Sequence, residues 1–285
     1  MKIRIKTSKD APQAIAKRWN LALHGCVAKT PRATVYKVDA PQGPAALKIY
    51  NEIGSAGEGA AVQFLRHLEP GAGVKIYRSS AWRAAVLMEW LDGPALSALL
   101  VNGEEDTATR HLAAVAGAVA RSRFKLHAQY RRVMPALKTN LANCRAHAVD
   151  HPEAENLHRA IALFDHLVAT TTQERIIHGD LHFGNVVLTD DGPRLIDPKG
   201  LRADPAYEFG RVLIDPSHDV RSDALIQRIK RRAPIFADGI GVTPERPIQW
   251  LAVRLAQRVF SNSPKDASRQ EFAPHLAAVL DLAER

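Results

Sequence analysis

Apolar and polar positions alternate along Ala33-Thr-Val-Tyr-Lys-Val38, and Ala45-Ala-Leu-Lys-Ile-Tyr50 follows after the turn Pro41-Gln-Gly-Pro44. A period of two predicts strands on either side of that turn. Glu58 to Leu68 has helical spacing, with Ala61, Phe64, Leu65 and Leu68 on one side. Val74-Lys-Ile-Tyr-Arg78 and Arg83-Ala-Ala-Val-Leu-Met88 then read as a strand pair. The texture changes at the turn Leu91-Asp-Gly-Pro94. Beyond it the spacing predicts helices over Thr107–Arg123, with Thr107 as a capping residue, and over Pro152–Thr170, with Leu157, Ile161, Phe164 and Leu167 as its stripe. Further helices are expected at about Asp219–Arg232, Pro244–Asn262 and Glu271–Ala283. Ile176-Ile177, Val186-Val187-Leu188 and Leu195-Ile196 interrupt them as short apolar strands, the last two joined by Asp190-Asp-Gly-Pro193. The pattern is α+β and bilobal: a small β-rich lobe over residues 1–91 with a hinge at its end, and a larger, mainly helical lobe over 92–285.

Composition adds little to this picture. Hydrophobic residues are 46% and charged residues 24% of 285, ordinary for a globular chain. No run of eighteen apolar residues is present, and the basic start has no apolar stretch after it, so neither a membrane span nor a signal peptide is expected. Cys26 and Cys144 stand far apart and outside any metal spacing, which suits a reducing cytoplasm without a structural disulfide. The net charge of +9 suits an anionic ligand such as a nucleotide. Its sharpest run, Arg228-Ile-Lys-Arg-Arg232, has no interleaved aromatics, so it reads as a solvated helix face and not as a nucleic-acid platform.

The chemistry concentrates in His178-Gly-Asp-Leu-His-Phe-Gly-Asn185 and Leu195-Ile-Asp-Pro-Lys-Gly200. Gly179 and its polar neighbours make the first stretch a loop in which Asp180 stands exposed. Asn185, five residues on, can turn its amide oxygen back toward a metal. Asp197 ends a short strand, where Pro198 stops the ladder. A hairpin between the two strands brings Asn185 and Asp197 together. One carboxylate for a hydroxyl and two oxygen ligands for magnesium are the requirements of phosphoryl transfer. Asp190 and Asp191 lie in the hairpin turn, where Asp is favoured for backbone hydrogen bonding. His178 and His182 read as hydrogen-bonding members of the loop.

These two motifs, with Ile196-Asp-Pro-Lys-Gly-Leu-Arg-Ala-Asp-Pro-Ala-Tyr-Glu-Phe-Gly210, resemble the aminoglycoside phosphotransferase family, nearest its streptomycin 6-phosphotransferase and hydroxyurea-resistance kinase branch. The resemblance implies a protein-kinase-like fold, ATP and Mg2+. It implies that Asp180 serves the acceptor hydroxyl and that Asn185 and Asp197 hold the metal. It further implies that Lys48 binds the α- and β-phosphates and that Glu58 pairs with Lys48, Glu52 being the competing acid. Val86-Leu-Met-Glu-Trp-Leu91 resembles the hinge strand: the Glu89 carbonyl and the Leu91 amide would bond adenine, and Met88 would line the back of the pocket. Asp204, before Pro205, is expected as a helix cap or a brace for the catalytic loop. Lys199 is near enough in sequence to reach phosphate or substrate.

The departures are informative. Val27-Ala-Lys-Thr-Pro-Arg-Ala-Thr34, where a phosphate-covering loop belongs, has no glycine-rich pattern; Lys29, Thr30 or Arg32 would substitute with side chains. Pro198-Lys199 stand where a protein kinase has Phe-Gly. The expectation is a cytoplasmic ATP- and Mg2+-dependent phosphotransferase acting on a hydroxyl of a small molecule, nominally a streptomycin-like aminoglycoside, with no specific nucleic acid or membrane partner. The alternatives are a metabolic kinase for a sugar or amino alcohol, and a catalytically inactive nucleotide-binding protein of the same fold. A cationic antibiotic prefers an acidic pocket, and the last helices carry few acids: Glu245, Asp266, Glu271, Asp281 and Glu284.

Overall fold

A computed structural model describes residues 11–125, 128–148, 151, 153–216, 221–261 and 268–285. The helix starts expected at Pro152 and Asp219, the helix end expected at Asn262, and Asp266 lie outside the described residues, as do the side chains of Glu52 and Glu271.

The first lobe comprises α1 (Ala11–Trp19), β1 (Ala22–Lys29), β2 (Ala33–Ala40), β3 (Gly43–Tyr50), α2 (Glu52–His67), β4 (Ile76–Ser80) and β5 (Ala85–Glu89). The five strands form one antiparallel sheet in the order β1-β2-β3-β5-β4. Strand alternation gives this sheet two faces. Val38, Ala45, Leu47, Ala85 and Leu87 pack with Ile15 and Trp19 of α1 in a small core on the outer face. Ala46, Lys48, Val86 and Met88 point the other way, into a cavity. Lys48 is therefore on the cavity side because Leu47 is committed to the core.

The second lobe comprises α3 (Ser97–Val101), α4 (Glu105–Arg121), β6 (Arg131–Arg132), α5 (Val133–His147), α6 (Ala154–Thr170), β7 (Arg175–Ile177), β8 (Val186–Thr189), β9 (Gly192–Leu195), β10 (Leu201–Ala203), α7 (Ser222–Ile240), α8 (Glu245–Val259) and α9 (Ser268–Ala283). Its core is built around Trp250, Phe209, Phe236, Leu112 and Phe183, and it takes in Phe64 from α2. Strands β8 and β9 pair as a hairpin, and β10 lies between β6 and β7.

A backbone seam joins the lobes. Leu195 N–H donates to Ala72 O, and Val74 N–H to Leu195 O, both at 2.9 Å. Within the second lobe, just past the hinge, Leu96 N–H donates to Val186 O at 2.7 Å and Leu188 N–H to Pro94 O at 2.9 Å. Arg194 donates to Gly73 O and pairs with Glu89.

Several boundaries differ from the sequence reading. The covering segment is a strand, β1, as far as Lys29, and α1 precedes it. Strand β4 starts two residues later than expected, and a 3-10 turn at Ala81–Arg83 delays β5 to Ala85. Thr107 lies inside α4, which starts at Glu105. The pattern reading does not mark α5, whose buried residues are only Met134, Leu137, Leu141 and Cys144. Helix α7 runs through Pro234 to Ile240, well past Arg232.

The basic run on α7 is a solvated face only at Lys230 and Arg231; Arg228 and Arg232 turn inward. Arg232 is 1% exposed, and it donates to the Val212 and Asp215 carbonyls and pairs with Glu105 on α4 at 2.6 Å. Its guanidinium lies over the Phe183 ring at 5.1 Å. Arg228 and Arg231 pair with the same Glu105. A guanidinium has five donors in a fixed fork, which allows one side chain to meet two carbonyls and a carboxylate. Burial lowers the Arg232 pKa to about 10.

Candidate active site

The catalytic stretch enters from β7 and turns at Gly179, whose φ of +82° lies in the left-handed region that favours glycine. His178 is fully buried. Its Nε2–H donates to Ile196 O at 2.9 Å, and its Nδ1 accepts from Asp180 N–H at 3.3 Å. Both ring nitrogens are thus used by a neutral imidazole, and burial draws the pKa down to about 4. The His178 carbonyl accepts from Lys199 N–H at 2.8 Å and Gly200 N–H at 3.0 Å, so one histidine joins the two motifs. Phe64 of α2 meets its ring edge-on at 5.7 Å.

Sequence reasoning missed Glu208. Its buried carboxylate accepts from Gly179 N–H at 2.9 Å and Leu181 N–H at 3.2 Å, on either side of Asp180. Burial raises its pKa to about 7 against the lowering effect of those bonds. A Glu within the otherwise apolar turn Tyr207-Glu-Phe-Gly210 was the available signal. The brace of the loop is therefore Glu208. Asp204 caps the turn it begins, accepting from Ala206 N–H at 2.9 Å, and ties α6 to α8 through Thr171 and Arg246.

Asp180 is partly exposed, with Lys199 Nζ 3.1 Å from its Oδ2. Burial pushes its pKa upward, but Lys199, His182 and His178 outweigh that and hold the carboxyl below its ordinary value. Asn185 is nearly buried. Its Nδ2 donates to Asp180 O at 2.9 Å, which commits the nitrogen and leaves the amide oxygen available. The pairing of Val186 with Leu195, extended by Ile196 N–H to Asn185 O at 2.9 Å, places Asp197 beside Asn185. Asp197 takes a left-handed φ of +54°, and its carboxylate is 54% exposed.

Lys48 pairs with Asp197. The expected pair with Glu58 is not present among the described residues. Glu58 is 4% exposed, and burial raises its pKa to about 7. Asp197 keeps water on its outer side and loses less hydration in pairing. Tyr50 lies between these groups. Lys48 Nζ sits 5.0 Å from its ring centre, and its phenol pKa is raised by burial and then by Asp197 and Glu58.

A cavity of about 280 Å³ opens between the lobes over this cluster. Met88, Glu89, Trp90 and Leu91 line it at the hinge, and Asn185, Asp197 and Lys48 line its inner end. Glu58 and Asp180 are not in its lining. The Glu89 carboxylate is occupied with Lys75 N–H at 2.7 Å and with Arg194, so it fixes the hinge. At the covering turn, Thr30 Oγ1 accepts from Ala33 N–H at 3.0 Å, and Asn51 Nδ2 donates to Pro31 O at 2.6 Å. Side chains brace this turn in place of glycines. Lys29 and Arg32 stand exposed on it.

The Asn185 amide oxygen and the Asp197 carboxylate are two hard oxygen donors at the inner end of the cavity, a set that fits Mg2+ shared with phosphate and water. Among the described residues no group of three or more His, Cys, Asp or Glu converges as a metal cage. No helix among the described residues is long and apolar enough to cross a membrane.

A sheet lobe and a helical lobe, joined by a hinge and enclosing a catalytic loop and a metal turn, define the protein-kinase-like class of folds. The chain belongs to the aminoglycoside/hydroxyurea antibiotic resistance kinase family, whose model matches residues 18–262. It is 31% identical over 86 residues to streptomycin 6-kinase of Streptomyces glaucescens, a match spanning 30% of this chain and 28% of that protein. It is 28% identical over 251 residues to hydroxyurea phosphotransferase of Kitasatospora aureofaciens, spanning 84% of this chain and 68% of that one. The fold is shared with a choline/ethanolamine kinase family protein from Mesorhizobium loti (TM-score 0.65, 12% identity, 92% of this chain and 88% of that one). It is also shared with APH(2")-IIa, solved in a ternary complex with streptomycin and ATP (TM-score 0.66, 9% identity, 98% and 99%).

Proposed function

We propose that this chain is an ATP- and Mg2+-dependent phosphotransferase that phosphorylates a hydroxyl group of a small molecule. The observation that carries the reading is the meeting of Lys48, Asn185 and Asp197 at the inner end of the interlobe cavity, with Asp180 held one loop away. Family membership and the kinase activities named for the two curated relatives support it.

In this reading residues 1–91 bind the nucleotide and residues 92–285 carry the catalytic loop and the acceptor pocket. The Leu91 N–H makes no backbone hydrogen bond among the described residues and is available to adenine, with the Glu89 carbonyl beside it and Met88 behind. Lys48 steadies the α- and β-phosphates, and Asp197, once released by Lys48, and Asn185 are the residues that would hold Mg2+. Bound there, Mg2+ neutralises phosphate charge. Glu58 stands behind Tyr50 and Lys48. Asp180, ionised and fixed by its braced loop, orients the acceptor hydroxyl and takes its proton.

A streptomycin-like aminoglycoside is the nominal acceptor. One observation favours the second reading, a neutral or weakly charged metabolite: Asp180 is paired with Lys199 at 3.1 Å and Asp215 with Arg211 at 3.8 Å, so these carboxylates are already matched by cations. That balance gives a polycation no advantage. The test is Mg2+-dependent ATP consumption with a panel of aminoglycosides, sugars and amino alcohols. Consumption should require an acceptor and vanish in Asp180→Asn and Asp197→Ala. ATP binding without transfer to any acceptor would instead support an inactive nucleotide-binding protein.

A further inference from the structure

The lysine at position 199 has no place in the reaction as described so far. Its backbone N–H donates to His178 O, which fixes its Cα against the catalytic loop. Its side chain, 43% exposed, reaches the Asp180 carboxylate at 3.1 Å. An exposed Lys–carboxylate pair contributes little to folding, so stability does not account for an ammonium aimed at this carboxylate.

Geometry suggests what does. A general base lies within about 3 Å of the hydroxyl it serves, and that oxygen lies about 3–3.5 Å from the phosphorus it attacks. An ammonium 3.1 Å from Asp180 and a hydroxyl about 3 Å from the same carboxylate lie at most about 6 Å apart, so a rotation of the half-exposed Lys199 side chain brings its ammonium to the reacting oxygens. Lys48 reaches the same centre from the opposite lobe, beside Asp197, and would serve the α- and β-phosphates. The braced covering turn has no glycine-rich cradle of N–H groups for the terminal phosphate. Lys29 and Arg32 stand exposed on that turn, whereas Lys199 already lies against Asp180, and an ammonium has donors enough to keep Asp180 while bonding a phosphoryl oxygen.

We propose that Lys199 is a catalytic residue that holds Asp180 and, with a second N–H, bonds an equatorial oxygen of the transferring phosphoryl group. The inference rests on the phosphotransferase reading above. In the step, the acceptor oxygen forms its bond to the γ-phosphorus as the bond to the β,γ-bridging oxygen breaks. The electron pair leaves on ADP, the hydroxyl proton passes to Asp180, and Lys199 stays protonated. Its contribution is largest where charge spreads over the three equatorial oxygens, in the transition state.

Aluminium fluoride, a planar mimic of the phosphoryl group, tests this without knowledge of the acceptor. Mg·ADP affinity is measured by titration calorimetry with and without aluminium fluoride for the wild type, Lys199→Ala and Lys199→Arg, with circular dichroism as the check of folding. The wild type is expected to bind Mg·ADP at least about tenfold more tightly when aluminium fluoride is present. Lys199→Ala is expected to bind Mg·ADP within about twofold of the wild type but to lose that gain, and Lys199→Arg to recover part of it. A Lys199→Ala protein that shows the full gain overturns the proposal and leaves the phosphotransferase reading standing. So does a wild type that binds Mg·ADP but gains nothing from aluminium fluoride. A wild type that binds no Mg·ADP overturns the phosphotransferase reading, and this proposal with it.

Discussion

The catalytic loop, residues 178–185, and the metal turn, residues 195–200, each present one aspartate with one lysine on it, yet they are secured in opposite ways. The catalytic loop is held from below by its own lobe: buried Glu208 accepts from the N–H groups on both sides of Asp180, and buried His178 from Asp180 N–H itself. The backbone of the metal turn is tied to that loop through His178 and Asn185, but its Asp197 is left-handed and exposed, and its carboxylate is met by Lys48 of the other lobe. The Asp180 carboxylate is thus fixed by its own lobe, whereas the Asp197 carboxylate takes its partner from across the gap between the lobes.

The widest separation between the two regions is expected in catalysis. Asp180→Asn should lower turnover by about 10³-fold and leave Mg·ADP affinity close to that of the wild type. Asp197→Ala should remove both turnover and the magnesium dependence of nucleotide binding. ATP consumption and calorimetry with and without Mg2+ measure this, and equal effects of the two changes on Mg·ADP binding would erase the distinction.

The next effect is on stability. Glu208→Ala leaves the Gly179 and Leu181 N–H groups buried without acceptors, at a cost of roughly 2–4 kcal/mol for the two. Denaturant unfolding should show that loss, and Glu208→Gln should restore much of it. An unchanged midpoint would mean that the catalytic loop has no internal brace.

The seam beside the metal turn comes third. Gly93 has φ +143°, and a Cβ there would lie 2.1 Å from Leu188 O. Gly93→Ala should therefore cost about 1–3 kcal/mol and weaken nucleotide binding more than it disturbs the catalytic loop. Thermal unfolding with and without Mg·ADP reads both effects.

The smallest effect is in pH dependence. The pKa of Glu58 is about 7 in the folded chain against an ordinary 4.5. The folded state therefore holds the proton more tightly, and the stability this gives is complete below about 4.5 and lost as pH rises through 7. Urea unfolding at pH 5 and pH 8 should show the wild type losing about 1–2 kcal/mol more than Glu58→Gln. Glu208 shifts in the same direction, so the variant should retain a residual slope.

The comparison also shows what the residue string could disclose. Asp180, Asn185 and Asp197 were legible because polar residues at fixed spacing interrupt short apolar strands, and the hairpin that unites them follows from the turn between β8 and β9. Lys48 was marked by the family resemblance, and strand alternation, which opposes it to Leu47, accounts for its place in the cavity lining. Glu208 and the Arg232–Glu105 contact were not, because both depend on partners more than 25 residues away that no local pattern links. Helix α5 shows too few buried positions for a clear stripe, and the charge of Arg228 to Arg232 suggested solvent where the fold places carbonyls and Phe183. The expected Lys48–Glu58 pair is replaced by Lys48–Asp197, a contact between residues 149 apart in the chain that no local pattern links.

The backbone seam at residues 72–74, 94–96, 186–188 and 195 has a mechanical consequence. Two hydrogen bonds at Leu195 cross between the lobes and two more tie the segment after the hinge to β8, so an opening of the lobes pivots near that line. Displacement then grows with distance from it, and the outermost strand, β1, travels farthest. That strand carries Cys26, an exposed thiol, while Cys144 is buried. A fluorophore on Cys26 thus rides at the end of the lever, a built-in reporter of opening on a chain whose other cysteine is shielded.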